Sequence, residues 1–183
     1  NNSIIHLNNI TLVNDENITI NIDKNITIIG NNTIINGLEQ GTIFTIQPTI
    51  TVTFINLTFT NTNTDYIIKN NGNLTITNTT FSNNLARIII NNGELILENT
   101  VIENTITNYY AITASKIETT QEKGVIYNTK TLILKNTTFN NIEIHPIIID
   151  DKKIAWDAII VNQDKTTITD SKFTNINYRT IYN

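Results

Sequence analysis

The stretch LTITNTTFSNN, residues 74–84, places one asparagine in the middle of a strand-like sequence and two more at its end. Apolar residues alternate with threonine in its first half, which is typical of a β-strand with one buried face. Asparagine is a poor strand former, and a buried side-chain amide needs hydrogen-bond partners. These asparagines therefore need an explanation other than strand propensity.

The first ten residues of this stretch recur as a phrase along the chain. The five copies are VTFINLTFTN (52–61), LTITNTTFSN (74–83), LILENTVIEN (95–104), LILKNTTFNN (132–141) and TTITDSKFTN (166–175). Their fifth residues are Asn56, Asn78, Asn99, Asn136 and Asp170, and their tenth residue is always asparagine. A weaker copy at 26–37 has Gly30 at the asparagine position, and residues 1–25 read as strands of one more irregular unit.

A second phrase follows each copy and consists of two apolar residues, any residue and an asparagine. It ends at Asn70, Asn91, Asn128, Asn162 and Asn183. Successive fifth-position residues are 22, 21, 37 and 34 residues apart. Three strand-length segments in a period near 22, without helical phase, predict an all-β fold: a right-handed parallel β-helix, which is a single-strand solenoid. A β-sandwich would also contain short strands, but it gives no reason for asparagine to recur at the same position of every unit.

The fixed phase of the fifth-position asparagines indicates a structural role. We expect these side chains to point inward at a tight corner, where the backbone takes a left-handed bend. Each amide would hydrogen-bond to the equivalent amide of the next coil, so that every member of the column has partners. An isolated buried amide would cost about 1–3 kcal/mol. A genome rich in Asn and Ile codons would explain the amounts of these residues but not their phase.

The repeat resembles a known family. GNLTITNTTFSNN (72–84), preceded by Ile-Ile-x-Asn-Asn, is similar to the repeat of adhesin-like surface proteins of methanogenic archaea. It also resembles the polymorphic outer-membrane-protein repeat, Gly-Gly-Ala-Ile followed by Phe-x-Asn-Asn, although the first phrase is reduced here to sequences such as DYII and ARII. The resemblance covers residues 26–183. It implies a right-handed parallel β-helix, secretion, and a cell-surface role in adhesion or wall architecture, with no catalytic residues to carry over.

Composition and charge exclude several functional classes. The 183 residues include 39 Ile, 33 Asn and 32 Thr, and the net charge of −4 leaves no basic face for a nucleic acid. The absence of cysteine rules out disulfides and thiolate metal sites. No apolar run of about 18 residues is present to span a membrane. The opening residues include neither Met nor a leader, which indicates a removed leader or a cut fragment.

The two long spacings place insertions at about 105–123 and 142–157 within one domain, residues 1–183. Both leave the same corner of consecutive coils, so we expect them to lie side by side. Long loops on a rigid scaffold often carry function. The candidate ligand or partner patch consists of Tyr109, Tyr110, His145, Asp150, Asp151, Trp156 and Asp157.

The chemistry of this patch leaves several interpretations open. Aromatic faces with nearby carboxylates suit sugar binding, but the same aromatic residues could simply pack the loops against the wall. Asp150, Asp151 and Asp157 could hold Ca²⁺ through oxygen, although DDKK reads more simply as a solvated loop tip. We expect no enzyme, because the paired carboxylates of polysaccharide-cleaving β-helices have no counterpart on the coil walls, which offer mainly Thr, Asn and Ile.

Asn-x-Thr sequons are frequent in the chain. Asn56, Asn78 and Asn136 should point inward and be unmodifiable, whereas Asn73, at a turn, is a candidate glycan acceptor.

Three functions follow from the sequence. The first is a non-catalytic extracellular surface protein, adhesin-like or structural, whose partners are glycans or other surface proteins. The second is a filament subunit, because the last phrase stops in mid-pattern and open strand edges can stack copies end to end. The third is a carbohydrate-binding or polysaccharide-cleaving β-helix protein.

Overall fold

The computed structural model describes residues 2–63, 66–107, 124–144, 148–149, 152–153 and 158–183. Within these residues every regular element is a β-strand, which confirms the all-β prediction. The strands are β1 (Ser3–Asn8), β2 (Thr11–Val13), β3 (Ile20–Ile22), β4 (Ile26–Asn36), β5 (Phe44–Ile46), β6 (Thr51–Thr60), β7 (Tyr66–Asn70), β8 (Asn73–Thr77), β9 (Thr80–Ser82), β10 (Arg87–Asn91), β11 (Glu94–Glu98), β12 (Val101–Thr107), β13 (Ile126–Asn128), β14 (Thr131–Lys135), β15 (Thr138–Ile144), β16 (Ile148–Ile149), β17 (Lys152–Lys153), β18 (Ile160–Asn162), β19 (Lys165–Thr169), β20 (Lys172–Ile176) and β21 (Ile181–Tyr182).

The strands form consecutive units of three segments, and the long strands β4 and β6 each contain two segments. First segments lie in β1, β4, β6, β8, β11, β14 and β19; second segments lie in β2, β4, β6, β9, β12, β15 and β20; third segments lie in β3, β5, β7, β10, β13, β18 and β21. Each segment pairs in parallel with the equivalent segment of the neighbouring unit.

First and second segments belong to one 12-stranded sheet, and third segments form a seven-stranded sheet. The larger sheet curls around a corner, because β6 pairs with β8 through residues 51–55 and with β9 through residues 58–60. Among the described residues, the sole antiparallel pair joins β16 to β17. The protein is therefore an all-β structure of parallel strands in a curled sheet.

The register of the strands follows the spacing of the sequence phrases. Val52 pairs with Leu74, Leu74 with Leu95, Leu95 with Leu132, and Leu132 with Thr166. These steps are the 22, 21, 37 and 34 residues seen in the sequence. The third segments keep the same steps of 21, 37 and 34 from β7 to β18. The predicted alignment of the five phrases is confirmed, and the extra residues of the long steps shift no strand.

The hydrophobic core lies between the two large sheets. Phe44 in the seven-stranded sheet contacts Phe54 in the curled sheet, with ring centroids 5.1 Å apart. At the eighth position of the phrase, the rings of Phe59 and Phe81 stack with centroids 4.8 Å apart, which is the usual separation of paired strands. Complete burial of such a side chain stabilises the fold by about 1.5–3 kcal/mol. The alternation of apolar residues thus supplies one continuous core through the units.

A column of asparagines closes the third segments, and we call it the buried ladder because its first three members are buried, whereas Asn162 is half-buried and Asn183 exposed. Its members are Asn70, Asn91, Asn128, Asn162 and Asn183. Each Nδ2 donates to Oδ1 of the next member, at 2.7, 2.7, 2.8 and 3.1 Å in chain order. Asn70, Asn91 and Asn128 are completely buried. The amide ladder expected from the sequence therefore exists, but it is formed by the second phrase.

The fifth-position residues form a separate column at the corner between first and second segments, and we call it the corner column. Its members are Asn56, Asn78, Asn99, Asn136 and Asp170. All five side chains are exposed, so the prediction that they point into the core is wrong. The predicted left-handed bend is confirmed, with φ between 45° and 57°. A left-handed residue interrupts the two-residue alternation of a strand, which turns its side chain outward. On the surface, Asn136 Nδ2 donates to Asn99 Oδ1 at 2.8 Å.

The weaker copy at 26–37 has its corner at a different residue from the one expected. Asn32 has a φ of 52°, whereas Gly30 has no positive φ. The register of β4 against β6 shifts between Ile29 and Thr33, so the corner of this unit lies later in the chain. A Cβ atom on Gly30 would lie 2.4 Å from the backbone oxygen of Asn56. Close backbone approach therefore explains this glycine.

The residue after Asn78, Asn99 and Asn136 is a threonine that provides a buried polar group at the corner, whereas Leu57 follows Asn56. Thr79, Thr100 and Thr137 are at most 1% exposed. Thr100 Oγ1 donates to the backbone oxygen of Glu98 at 3.1 Å and lies 3.3 Å from that of Ile76, in the preceding unit. These hydroxyls are satisfied by backbone carbonyls, as buried polar groups must be.

Candidate functional site

The units differ most in the connection between their second and third segments. In the unit containing β8, β9 and β10, residues 84–86 make this connection. In the next two units, residues 105–123 and 142–157 take the place of this connection, and their first residues, 105–107 and 142–144, still belong to β12 and β15. We call this region the insertion corner and define it by these three connections.

The two insertions begin on paired strands. β12 and β15 continue past their tenth-position asparagines, and Thr105 pairs with Ile142 while Thr107 pairs with Ile144. These four side chains are all nearly or completely buried. The expectation that both insertions leave the same corner side by side is confirmed for their first described residues.

In the following unit the side chain of Asn177 takes the place of a paired strand. The backbone N–H of Ile144 donates to Asn177 Oδ1 at 2.8 Å, and Asn177 Nδ2 lies 3.4 Å from the backbone oxygen of Ile144. Ile144, at the base of the second insertion, thus has partners on both sides: β12 and the Asn177 amide. The base of the insertions is fixed to the sheet.

The insertions also return to neighbouring positions. Ile126, after the first insertion, pairs with Ile160, after the second. A Cβ atom on Gly124 would lie 2.9 Å from the backbone oxygen of Ala158, so the two returning backbones are in close contact. Glycine is required here because a side chain would meet backbone atoms that cannot move aside. Both ends of the two insertions are therefore adjacent.

Part of the second insertion forms a short antiparallel hairpin. Ile148 pairs with Lys153, and Ile149 pairs with Lys152. Asp150 and Asp151 lie between these two strands in the sequence.

The predicted ligand patch falls outside the described part of the chain. This applies to Tyr109, Tyr110, His145, Asp150, Asp151, Trp156 and Asp157. Their proposed roles in sugar contact, loop packing or Ca²⁺ binding stay predictions. Among the residues that the structure describes, no group of three or more His, Cys, Asp or Glu side chains could hold a metal ion.

Arg87 is a charged residue at this corner that the sequence reasoning did not select. Its side chain is only 6% exposed, and its guanidinium carbon lies 5.9 Å from the ring centroid of Tyr66. Arg87 and Tyr66 are register partners at the start of β10 and β7. This distance allows a cation–π interaction, which helps a buried guanidinium. The signal in the sequence was the single arginine in ARII, because the neighbouring units have uncharged residues at the equivalent position.

A second surface lies at the first unit and is apolar. Ile4, Ile18 and Ile20 are 59%, 54% and 49% exposed, although large aliphatic side chains are usually buried. A cleft of about 220 Å³ opens here between β2, β3 and the neighbouring unit. Its lining includes Leu12, Val13, Ile18, Ile20, Ile35 and Phe44. Asp15 and Glu16 also line this cleft, so it is apolar with an acidic part.

Comparison of the chain with family models, with curated proteins and with solved structures gives no match. The described residues also include no helix long and apolar enough to cross a membrane. Functional inference therefore depends on the geometry of the units and of the insertion corner.

Proposed function

We propose that this chain is a right-handed parallel β-helix that acts as a non-catalytic cell-surface protein of adhesin-like or structural type. The parallel pairing of equivalent segments from unit to unit supports the β-helix, because each unit then stacks on the one before it. The resemblance of the repeat to adhesin-like surface proteins supports the location and the role.

In this proposal the stacked units are a rigid support, and the insertion corner is the contact surface. The observation that carries it is the pairing at the base of the insertions, Thr107 with Ile144 before them and Ile126 with Ile160 after them. A base of paired strands is how rigid scaffolds usually present binding loops.

The central outward row of the first segments favours a non-catalytic role, although Glu94, Glu98, Lys135 and Lys165 occupy outward positions at the ends of these segments. The outward position in the middle of the first segments is Thr75, Ile96, Ile133 and Thr167 in successive units. Hydroxyl and aliphatic groups of this kind do not exchange protons near neutral pH, whereas general acid–base catalysis needs groups that do.

Labelling of the cells that produce the protein tests the location. An antibody raised against the purified chain should stain intact cells as strongly as permeabilised cells. Staining that appears only after permeabilisation would overturn the cell-surface proposal.

A shortened variant tests the role of the insertion corner. Residues 105–123 and 142–157 would each be replaced by residues 84–86, the connection that the preceding unit already uses. Both proteins would be applied to an array of neutral, acidic and amino-sugar polysaccharides and to purified cell-wall fragments. We expect the complete chain to bind and the shortened one to lose at least tenfold in affinity, with unchanged circular dichroism. Release of new reducing ends would instead support the polysaccharide-cleaving alternative, and equal binding by both proteins would contradict the assigned surface.

A filament subunit is the second candidate function. It is favoured by the apolar residues and the opposite net charges that the first and last units would bring together. In a head-to-tail stack that continues the register, Ile5 would lie over Ile168 and Leu12 over Phe173. Residues 2–25 carry three acidic side chains and one lysine, net −2, whereas residues 158–183 carry three basic and two acidic side chains, net +1. Opposite charge and apolar contact both favour such a stack.

Measurement of mass in solution tests this second function. Light scattering over a concentration series should show growing assemblies, and Ile5→Lys should abolish them. Ile4→Lys is the matched control, because Ile4 is also an exposed isoleucine but lies on the other face of β1. Monomers of the unsubstituted chain at every concentration would eliminate the filament.

A further inference from the structure

The corner column contains residues with the sequence signal for N-glycosylation. Asn56, Asn78 and Asn136 each begin an Asn-x-Thr sequon. Asn9 begins another and also has a left-handed φ, of 48°. The sequence reasoning excluded Asn56, Asn78 and Asn136 as inward-facing, but all three are exposed. Their accessibility reopens the question of modification.

Burial separates the sequon asparagines from those that build the core. Apart from Asn1-Asn2-Ser3, whose first residue is not described, the sequons begin at Asn9, Asn17, Asn25, Asn31, Asn56, Asn73, Asn78 and Asn136, and every one of these eight side chains is exposed. The completely buried asparagines are Asn70, Asn84, Asn91 and Asn128, and none of them has Ser or Thr two residues later. The frequency of threonine explains the number of sequons. The division by burial means that a glycan at any of them leaves the core closed.

The left-handed corner presents both groups of the sequon to the same side. Asn78 is exposed, Thr79 is buried and Thr80 is half-buried on the outer face of β9. The same order of exposed, buried and half-buried residues holds for the sequons that begin at Asn56 and Asn136. The amide and the hydroxyl therefore face solvent together, while the middle residue anchors the corner.

Modification of two of these asparagines would break no side-chain hydrogen bond. Within the described residues, no side-chain hydrogen bond engages Asn56 or Asn78. Asn136 differs, because its Nδ2 donates to Asn99 at 2.8 Å. Asn56 and Asn78 are therefore the best acceptors in the folded protein.

We propose that the corner column is an N-glycan acceptor site, centred on Asn56 and Asn78. This inference rests on the proposed surface location, because the modification is made on secreted chains. The co-substrate is a lipid-pyrophosphate-linked oligosaccharide. The amide Nδ2 forms a bond with the anomeric carbon, whose bond to the pyrophosphate oxygen breaks. The lipid pyrophosphate leaves with the electron pair, and one amide proton passes to solvent.

The spacing of the column limits how many glycans it holds. Asn56 and Asn78 lie at equivalent positions of adjacent paired strands, which are about 4.8 Å apart. A bulky glycan on one of them blocks the other. Asn136 lies two strands from Asn78, because Asn99 stands between them. Each molecule therefore carries a glycan on Asn56 or on Asn78, and Asn136 is independent of that choice.

Glycopeptide mass spectrometry of the protein from the cells that make it tests the proposal. We expect hexose-type mass additions at Asn56 or Asn78, but not at both in one molecule. Protein at the cell surface with both asparagines unmodified would overturn the glycan proposal and leave the proposed function standing. Protein found only inside the cell would overturn the proposed function, and unmodified asparagines there would overturn the glycan proposal as well.

Two substitutions at one register position provide a matched pair. Val101 pairs with Thr80 on one side and with Thr138 on the other, and it is half-buried as they are. Val101→Thr creates a sequon at Asn99, which has the same exposed left-handed corner, and should add a glycan there. Thr80→Val should abolish modification of Asn78 and raise that of Asn56. Because a glycan on Asn78 or Asn136 would block Asn99, V101T is also combined with Thr80→Val and Thr138→Val, which remove the two neighbouring sequons. An Asn99 that stays unmodified in this combined variant would overturn the proposal, because its side chain is exposed and its φ is left-handed, as in the proposed acceptors.

Discussion

Two columns of asparagine run through this molecule for opposite physical reasons. In the buried ladder, Asn91 receives a hydrogen bond from Asn70 and donates one to Asn128, each at 2.7 Å, away from water. In the corner column, Asn78 has an exposed side chain and a φ of 49°. The first position needs an amide that both donates and accepts. The second needs a residue that tolerates a left-handed backbone.

The comparison explains why asparagine recurs at two fixed positions of each unit. Asparagine visits the left-handed region more readily than other side-chain-bearing residues, and it can also form an unbroken amide ladder. Asp170 ends the corner column with a residue that shares the first property but cannot donate from its ionised side chain. The ladder has asparagine at each of its five described positions. Replacement of asparagine by aspartate should therefore be tolerated in the corner column but not in the buried ladder.

Asn91→Asp should have the largest effect. An ionised carboxylate at this site cannot donate to Asn128, and a buried uncompensated charge costs about 3–5 kcal/mol. Burial raises the pKa of the introduced carboxyl group above its unfolded value of about 3.9. Its stability deficit relative to the unsubstituted chain should therefore be smallest in acid and grow as the pH rises towards the folded-state pKa. Urea unfolding of both proteins between pH 3.5 and 7 measures this. A deficit independent of pH would mean that the site is not closed to water.

Thr100→Val should have the next largest effect. It removes a buried hydroxyl that donates to a backbone oxygen, next to the exposed Asn99, and should cost about 1 kcal/mol. The urea midpoint gives the change. Thr169→Val, at an exposed position, is the control and should change stability by less than about 0.5 kcal/mol. If both substitutions destabilise the protein equally, the Thr100 hydroxyl is not the buried polar group that stabilises this corner.

Asn78→Ala and Asn78→Gly separate backbone from side-chain effects in the corner column. Alanine in the left-handed region should lose about 1 kcal/mol, whereas glycine adopts it without steric strain and should stay near zero. Both values come from urea unfolding under one set of conditions. If glycine is as destabilising as alanine, the side chain of Asn78 contributes more than the bend.

Asn78→Asp should have the smallest effect, less than about 0.5 kcal/mol, because aspartate already occupies this position at Asp170. The same substitution at Asn91 is the reference, so the ratio of the two effects measures the difference between the columns directly. A loss above 2 kcal/mol at Asn78 would refute the assignment of this column to the surface.

The direction of the corner column could have been read from the sequence by parity. Leu74 and Ile76 are even-numbered inward residues, whereas the next large inward residue, Phe81, is odd. A strand keeps one parity per face, so one residue between 76 and 81 must break the alternation. Parity gives no such answer for Asn70, because Ile67 and Ile68, of opposite parity, are both completely buried. The recurrence of asparagine alone carries no such information.

For the candidate site too, the sequence predicted one part and missed another. The sequence predicted where both insertions leave the units, and the paired strands that end at Thr107 and Ile144 agree with it. It did not single out Arg87, because a lone arginine in an apolar phrase does not reveal that its side chain will be buried. The roles of the residues inside the insertions stay predictions.

By itself, the sequence determined the strands, their three-segment units and the register between units. It could do so because a repeated pattern of side chains fixes which strand can lie beside which: a shift of one residue would move every inward side chain to the wrong face. Only the tertiary structure decided that the asparagines of the second phrase are the ones that form the buried ladder. That depends on backbone φ at the corners and on contacts between units, and both arise only once the strands are paired.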